Sequence, residues 1–148
     1  MVVQIVTGTG LLLVNIVLAA LAALTMELGF QRFHPWLMRE PHAPKLVVLV
    51  ASVSLGVLGV ITAGLWIWAL AYRALGVFPD LESAVYFSLV TYTTLGFGDL
   101  LLPQPWRLLA GMEAANGFLN FGLLTALLIE GLRQVRLRQA ETRRRDSR

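Results

Sequence analysis

Three long apolar runs constrain this chain more than any other feature. They cover about Val3 to Leu28, Leu46 to Tyr72 and Trp106 to Leu132, and each exceeds the roughly 20 residues a helix needs to cross a hydrocarbon core of about 30 Å. A segment facing lipid must satisfy its backbone internally, so the runs predict an all-α membrane protein with three transmembrane helices. Composition agrees, with 57% of the 148 residues hydrophobic and 14% charged, against about 25% charged in an average globular chain. The first run has no Lys or Arg before Arg32 and outruns the ~7–15-residue core of a signal peptide, so it is expected as a retained helix. Trp66, Trp68 and Tyr72 close the second run and are expected at a headgroup layer, where such aromatics collect.

The charges are segregated. Arg133, Arg136, Arg138, Arg143, Arg144, Arg145 and Arg148 are seven of the twelve basic residues and all follow position 132. Placing residues 29–45 and this tail in the cytoplasm puts ten of the twelve inside, which satisfies the positive-inside rule and leaves the N-terminus outside. The membrane expected is the plasma (inner) membrane. A net charge of +3 without a basic face interleaved with aromatics gives no reason to expect nucleic acid as a partner. The tail either extends the third helix over anionic lipid, each basic residue contributing about 1 kcal/mol, or serves only as an anchor. No spanning run carries a series of arginines, so a voltage sensor is not expected. His34 and His42 lie eight apart in a Pro-containing stretch without a carboxylate cluster and read as loop residues. The chain has no cysteine, hence no disulfide, thiolate metal site or thiol nucleophile. It also shows no Ser-His-Asp set or phosphate loop, so an enzyme is the weakest reading and no cofactor is expected.

Between the second and third runs, Leu81 to Thr93 is apolar but too short to span, and it reads as a re-entrant helix. Asp80 is placed to cap it, and Glu82 in the first turn suits the positive end of the helix dipole. Directly after it comes Thr94-Leu95-Gly96-Phe97-Gly98, then Asp99. Irregular backbone at membrane depth must be buried in protein or line a wet cavity. A cation there needs oxygens in place of its hydration shell, and rings of backbone carbonyls from four chains are the established solution for potassium. Successive carbonyls share a direction only if the backbone alternates conformation, which Gly96 and Gly98 permit at alternate positions. Thr94 adds a hydroxyl at the inner end.

The segment from Tyr86 to Asp99, YFSLVTYTTLGFGD, resembles the pore loop of the potassium channel pore-domain family, and Arg107 to Thr125, RLLAGMEAANGFLNFGLLT, resembles its lining helix. The likeness covers about residues 46–132, with small bacterial channels that carry an added N-terminal helix as the nearest pattern. It implies a homotetramer passing K+ as permeant ion, with ion sites at Thr94, Leu95, Gly96 and Phe97. The implied organisation is an N-terminal helix at 3–28, a cytoplasmic loop at 29–45, a pore domain at 46–132 and a basic tail at 133–148. Within the pore domain the outer helix is 46–72, the pore helix 80–93, the filter 94–98 and the inner helix 106–132. Gly117 stands at the gating-hinge position, with close helix contact as the rival reading.

Three departures from the family pattern thin the side-chain support of the filter. Phe97 replaces the usual tyrosine, Phe87 stands where a pore-helix tryptophan is common, and Val90 replaces a glutamate that engages the aspartate at the place of Asp99. Tyr86 is the alternative partner for Asp99 by position. Glu113, about two turns into the third helix, is either a hydrogen-bonded carboxyl packed behind the pore helix or a substitute for the support missing at Val90, with pH-dependent conduction. Phe118, Phe121, Gly122, Thr125 and Ile129 share one helical face that would line a cavity, whereas Asn116 and Asn120 lie on another and suit bonds between helices. Two further functions compete with the potassium pore: a weakly selective cation channel, and a non-conducting accessory membrane subunit.

Overall fold

The computed structural model describes the backbone of residues 1–37 and 42–146, with the side chains of residues 1–29, 32, 47–129 and 133. The elements are α1 (Val2–Leu37), α2 (His42–Ala74), α3 (Leu81–Tyr92), a 3-10 turn (Gln104–Trp106) and α4 (Arg107–Asp146). No strand occurs among the described residues. Three stretches are long and apolar enough to cross a membrane: Val2–Gly29 and Val47–Ala74, each with mean hydropathy 2.3, and Gln104–Ile129 with 1.4. Leu13, Val17, Leu21 and Leu24 of α1 stay exposed, as a lipid-facing helix requires.

The expected loop at 29–45 is mostly helix, since α1 runs on to Leu37 and α2 starts at His42. Pro44 is compatible with that start because its missing N–H falls in the first turn, where it has no intrahelical partner. His34 and His42 therefore sit on helical backbone, and their side chains lie outside the described residues. Helix α4 likewise continues through most of the arginine tail to Asp146; apart from Arg133, the tail's side chains lie outside the described residues.

Helix α3 begins as its capping residues dictate. Asp80 adopts an extended conformation, and its Oδ1 accepts from Ser83 N at 2.7 Å while Ser83 Oγ donates to Oδ2 at 2.9 Å. These bonds hold the exposed Asp80 carboxyl below the usual aspartate range. Thr93 closes the helix, its hydroxyl donating to Leu89 O at 2.6 Å.

Around α3 lies the main core. Tyr72, Phe78 and Phe87 form an aromatic cluster in which Tyr72 meets Phe87 edge-on at 5.4 Å and Phe78 edge-on at 6.1 Å; such T-shaped pairs add about 0.5–1.5 kcal/mol beyond their area burial. Two of the three aromatics that close the second run belong to this core. Trp68 and Tyr72 are fully buried and only Trp66 is exposed, because residues 68 and 72, four apart, share a helix face that residue 66 does not. Helix α4 buries a single stripe of Leu109, Glu113, Asn116, Gly117, Asn120 and Leu124.

Candidate functional site: the loop after the short helix

The segment from Thr94 to Asp99 is anchored to the end of α3 by its own backbone. Thr94 N donates to Thr91 O at 2.9 Å, and the amides of Leu95 and Gly96 both donate to Val90 O, at 2.9 and 3.2 Å. Beyond that anchor the chain alternates. Thr94, Gly96 and Gly98 have φ of 61°, 58° and 78°, and Leu95 and Phe97 between them are not in the positive region. For the two glycines this is unstrained. For Thr94, which is β-branched, it is a true outlier, worth of order 1–3 kcal/mol and the kind of strain that gathers at functional sites. The sequence offered no signal for strain at Thr94; the two amides on the Val90 carbonyl were equally invisible, because at Val90 only the side chain could be read.

At its far end from α3 the loop is tied by a side chain. Tyr86 Oη donates to Asp99 Oδ2 at 2.6 Å, the pairing that position suggested. That bond holds the Asp99 carboxyl below the usual aspartate range and raises the Tyr86 phenol. Arg107 Nε donates to Leu102 O at 3.3 Å, closing the turn that leads into α4.

Phe87 is buried with Tyr72 and Phe78, so it serves packing behind the loop and stands in for no hydrogen-bonding partner of Phe97. Glu113 is fully buried and accepts from Tyr72 Oη at 2.7 Å. The carboxyl therefore joins α4 to α2 behind α3, with Ser88 of α3 beside it, and its bonding partner is Tyr72, not Asp99. Asn120 Nδ2 donates to Tyr92 Oη at 2.6 Å, a bond between helices as the residue's face implied. Gly117 packs on the backbone of α3: a Cβ there would overlap the Tyr92 carbonyl, and α4 passes through it without a break.

The remaining site residues are left uncovered in the single chain. Residues 94–99 are all exposed, including the apolar side chains of Leu95 at 59% and Phe97 at 66%. Phe118, Phe121, Gly122, Thr125 and Ile129 are exposed as well, on the side of α4 away from its buried stripe. A concavity lined by Tyr86, Val90, Thr94, Gly98, Asp99 and Arg107 adjoins the loop.

Three helices long and apolar enough to span a membrane, a short helix packed among them and a loop of alternating backbone make up the fold. A family model described as an ion channel matches residues 48–134, more than half of the chain, and the chain belongs to this ion-channel pore-domain family. It is an integral membrane protein. Searches of curated proteins and of solved structures returned no match.

Proposed function

We propose that this chain is one subunit of a homotetrameric, potassium-selective channel, with the backbone carbonyls of residues 94–97 and the Thr94 hydroxyl as K+ ligands. The observation that carries this reading is the alternation of φ at Thr94, Gly96 and Gly98. It is the backbone pattern that lets consecutive carbonyls face one axis, and it occurs in the sequence whose glycines predict it. Fourfold assembly is supported by what a single copy leaves open. Leu95, Phe97 and the apolar face of α4 are exposed, and neighbouring copies around a shared axis would cover part of that surface and turn the rest toward a pore. The lining would be mostly apolar, a surface that holds a hydrated ion weakly.

The filter's outer end faces the cell exterior in this reading, with the arginine tail in the cytoplasm against anionic lipid. The N-terminus then lies outside, because Gln4 near the start of α1 bonds to Leu108 at the start of α4. Purified protein in bilayers with opposed potassium and sodium gradients tests the proposal, with Gly96→Ala as control. The expected result is a reversal potential near that of potassium, abolished in Gly96→Ala. A reversal potential indifferent to the choice of cation would make it a weakly selective cation pore, and no current at all would leave an accessory subunit. Potassium-dependent growth of a transport-deficient bacterium, lost in Gly96→Ala, is the corresponding test in cells.

A further inference from the structure

Helix α1 lies ahead of the matched region 48–134, yet it is fastened to that region along its length. At the outer end, Gln4 Oε1 accepts from Leu108 N at 3.1 Å, in the first turn of α4. That amide has no partner within its own helix, so Gln4, itself buried, caps α4 from another element. One turn on, Gly8 lies so close to Met112 that a Cβ would overlap its sulfur. Further in, Ala19 shares a buried cluster with Leu124. The pairs 4 with 108, 8 with 112 and 19 with 124 keep an almost constant offset, which describes two parallel helices in fixed register.

Asn15 sits between these fastenings. It is fully buried, its Nδ2 is used on Leu11 O at 3.0 Å, and its Oδ1 has no partner. A Cβ added to Gly64 would lie 2.6 Å from this oxygen and 2.5 Å from Tyr92 Oη, so both oxygens flank the same glycine. Tyr92 Oη already accepts from Asn120, which leaves its own proton to donate. An acceptor without a partner and a hydroxyl with a proton to donate thus flank Gly64 of α2 with no hydrogen bond between them, beside the last residue of α3 and two residues before Thr94.

The strained loop is held at one end by Val90 and Thr91 of α3 and runs at the other into the turn that starts α4. Its conformation depends on those two anchors staying in place. We propose that α1 is a brace for the filter, with Gln4 and Asn15 as positioning residues that hold the start of α4 and the end of α3 in register. This inference rests on the pore reading above.

Single-channel recording from the full-length protein tests it. Ion binding to the intact filter stabilises it by mass action, so a filter with a loosened brace depends more on potassium. Gln4→Leu and Asn15→Leu are expected to keep the parent's unitary conductance in high potassium and to lose about five-fold in the ratio of conducting to non-conducting time when potassium is lowered, the equivalent of the ~1 kcal/mol of one cap. Gln4→Glu keeps an acceptor oxygen and adds a charge favoured at a helix N-terminus, and is expected to behave as the parent. Gln4→Leu matching the parent at both potassium levels overturns the proposal. Should Asn15→Leu fail to assemble, a second measurement decides: the chain has no cysteine, so Gly8→Cys with Met112→Cys allows oxidative crosslinking of α1 to α4. Crosslinked channels that conduct like reduced ones fit a fixed brace; current lost on oxidation and restored by reductant shows that α1 must slide, and refutes it. A parent without potassium current refutes the pore reading and the brace with it, whereas unchanged variants of a conducting parent refute the brace alone.

Discussion

Gly117→Ala separates the two readings of that glycine. On the hinge reading the methyl only stiffens α4: replacing Gly by Ala in a helix interior contributes about 1 kcal/mol, so stability should hold or rise. The structure argues for the opposite sign. The new Cβ would overlap the Tyr92 carbonyl, a backbone atom at the end of α3, which cannot rotate away as a side chain would. Overpacking costs about 1–3 kcal/mol, and a clash against backbone belongs at the upper end. The net expected effect is a loss of ~2 kcal/mol, with the displaced end of α3 disturbing Thr94 two residues on. Gly111→Ala is the control, since nothing lies within 4 Å of a Cβ there and the helical gain is unopposed. Thermal unfolding of the detergent-solubilised variants is the assay. If Gly117→Ala melts at or above Gly111→Ala, the close contact is not what requires glycine.

Tyr72→Phe removes the hydrogen bond that Tyr72 donates to the Glu113 carboxyl, and stranding a buried acceptor costs about 1–3 kcal/mol; a lowered melting temperature that Glu113→Leu, combined with it, does not lower further would show the pair acting as a unit. At the far end of the loop, the Asp99 carboxyl is held below its ordinary value of 3.8 chiefly by the Tyr86 hydroxyl. Because the folded-state value is depressed, the bonded carboxylate is fully present above pH 3.8 and is lost only as pH falls through the lower folded value. Tyr86→Phe should therefore raise the pH at which acid diminishes conduction, toward 3.8; identical acid profiles in the two proteins would remove Tyr86 as the support of Asp99. Glu113→Gln recorded across the same range shows whether the buried carboxyl contributes to that profile, and the structural role in the α2 to α4 tie predicts that it does not.

Much of the site was legible because its signals are local. Asp80 caps α3 through an amide three residues away, and Tyr86 reaches Asp99 because a short helix followed by a tight loop leaves few alternatives. Gly96 and Gly98 announce the alternating backbone, since only glycine takes positive φ without cost. The strain at Thr94 escaped because a threonine gives no such announcement, and the role of Val90 escaped because it is carried by a carbonyl that every residue possesses.

The sequence by itself determined three helices long enough to cross a membrane, a short capped helix and the backbone freedom of residues 94–99, all consequences of apolar length, helix capping and glycine placement along one stretch of chain. Only the tertiary structure decided which residues meet across helices. It turned Trp68 and Tyr72 inward, gave Glu113 to Tyr72 and laid the Tyr92 carbonyl on Gly117. It also set Gln4 on Leu108, one hundred and four positions apart. The reason is that in a helix packed in an apolar surround, hydrophobicity no longer marks the inward face. There the inner side is chosen by small residues that let backbones approach and by polar groups that need a partner, and those partners lie on other helices, far along the chain.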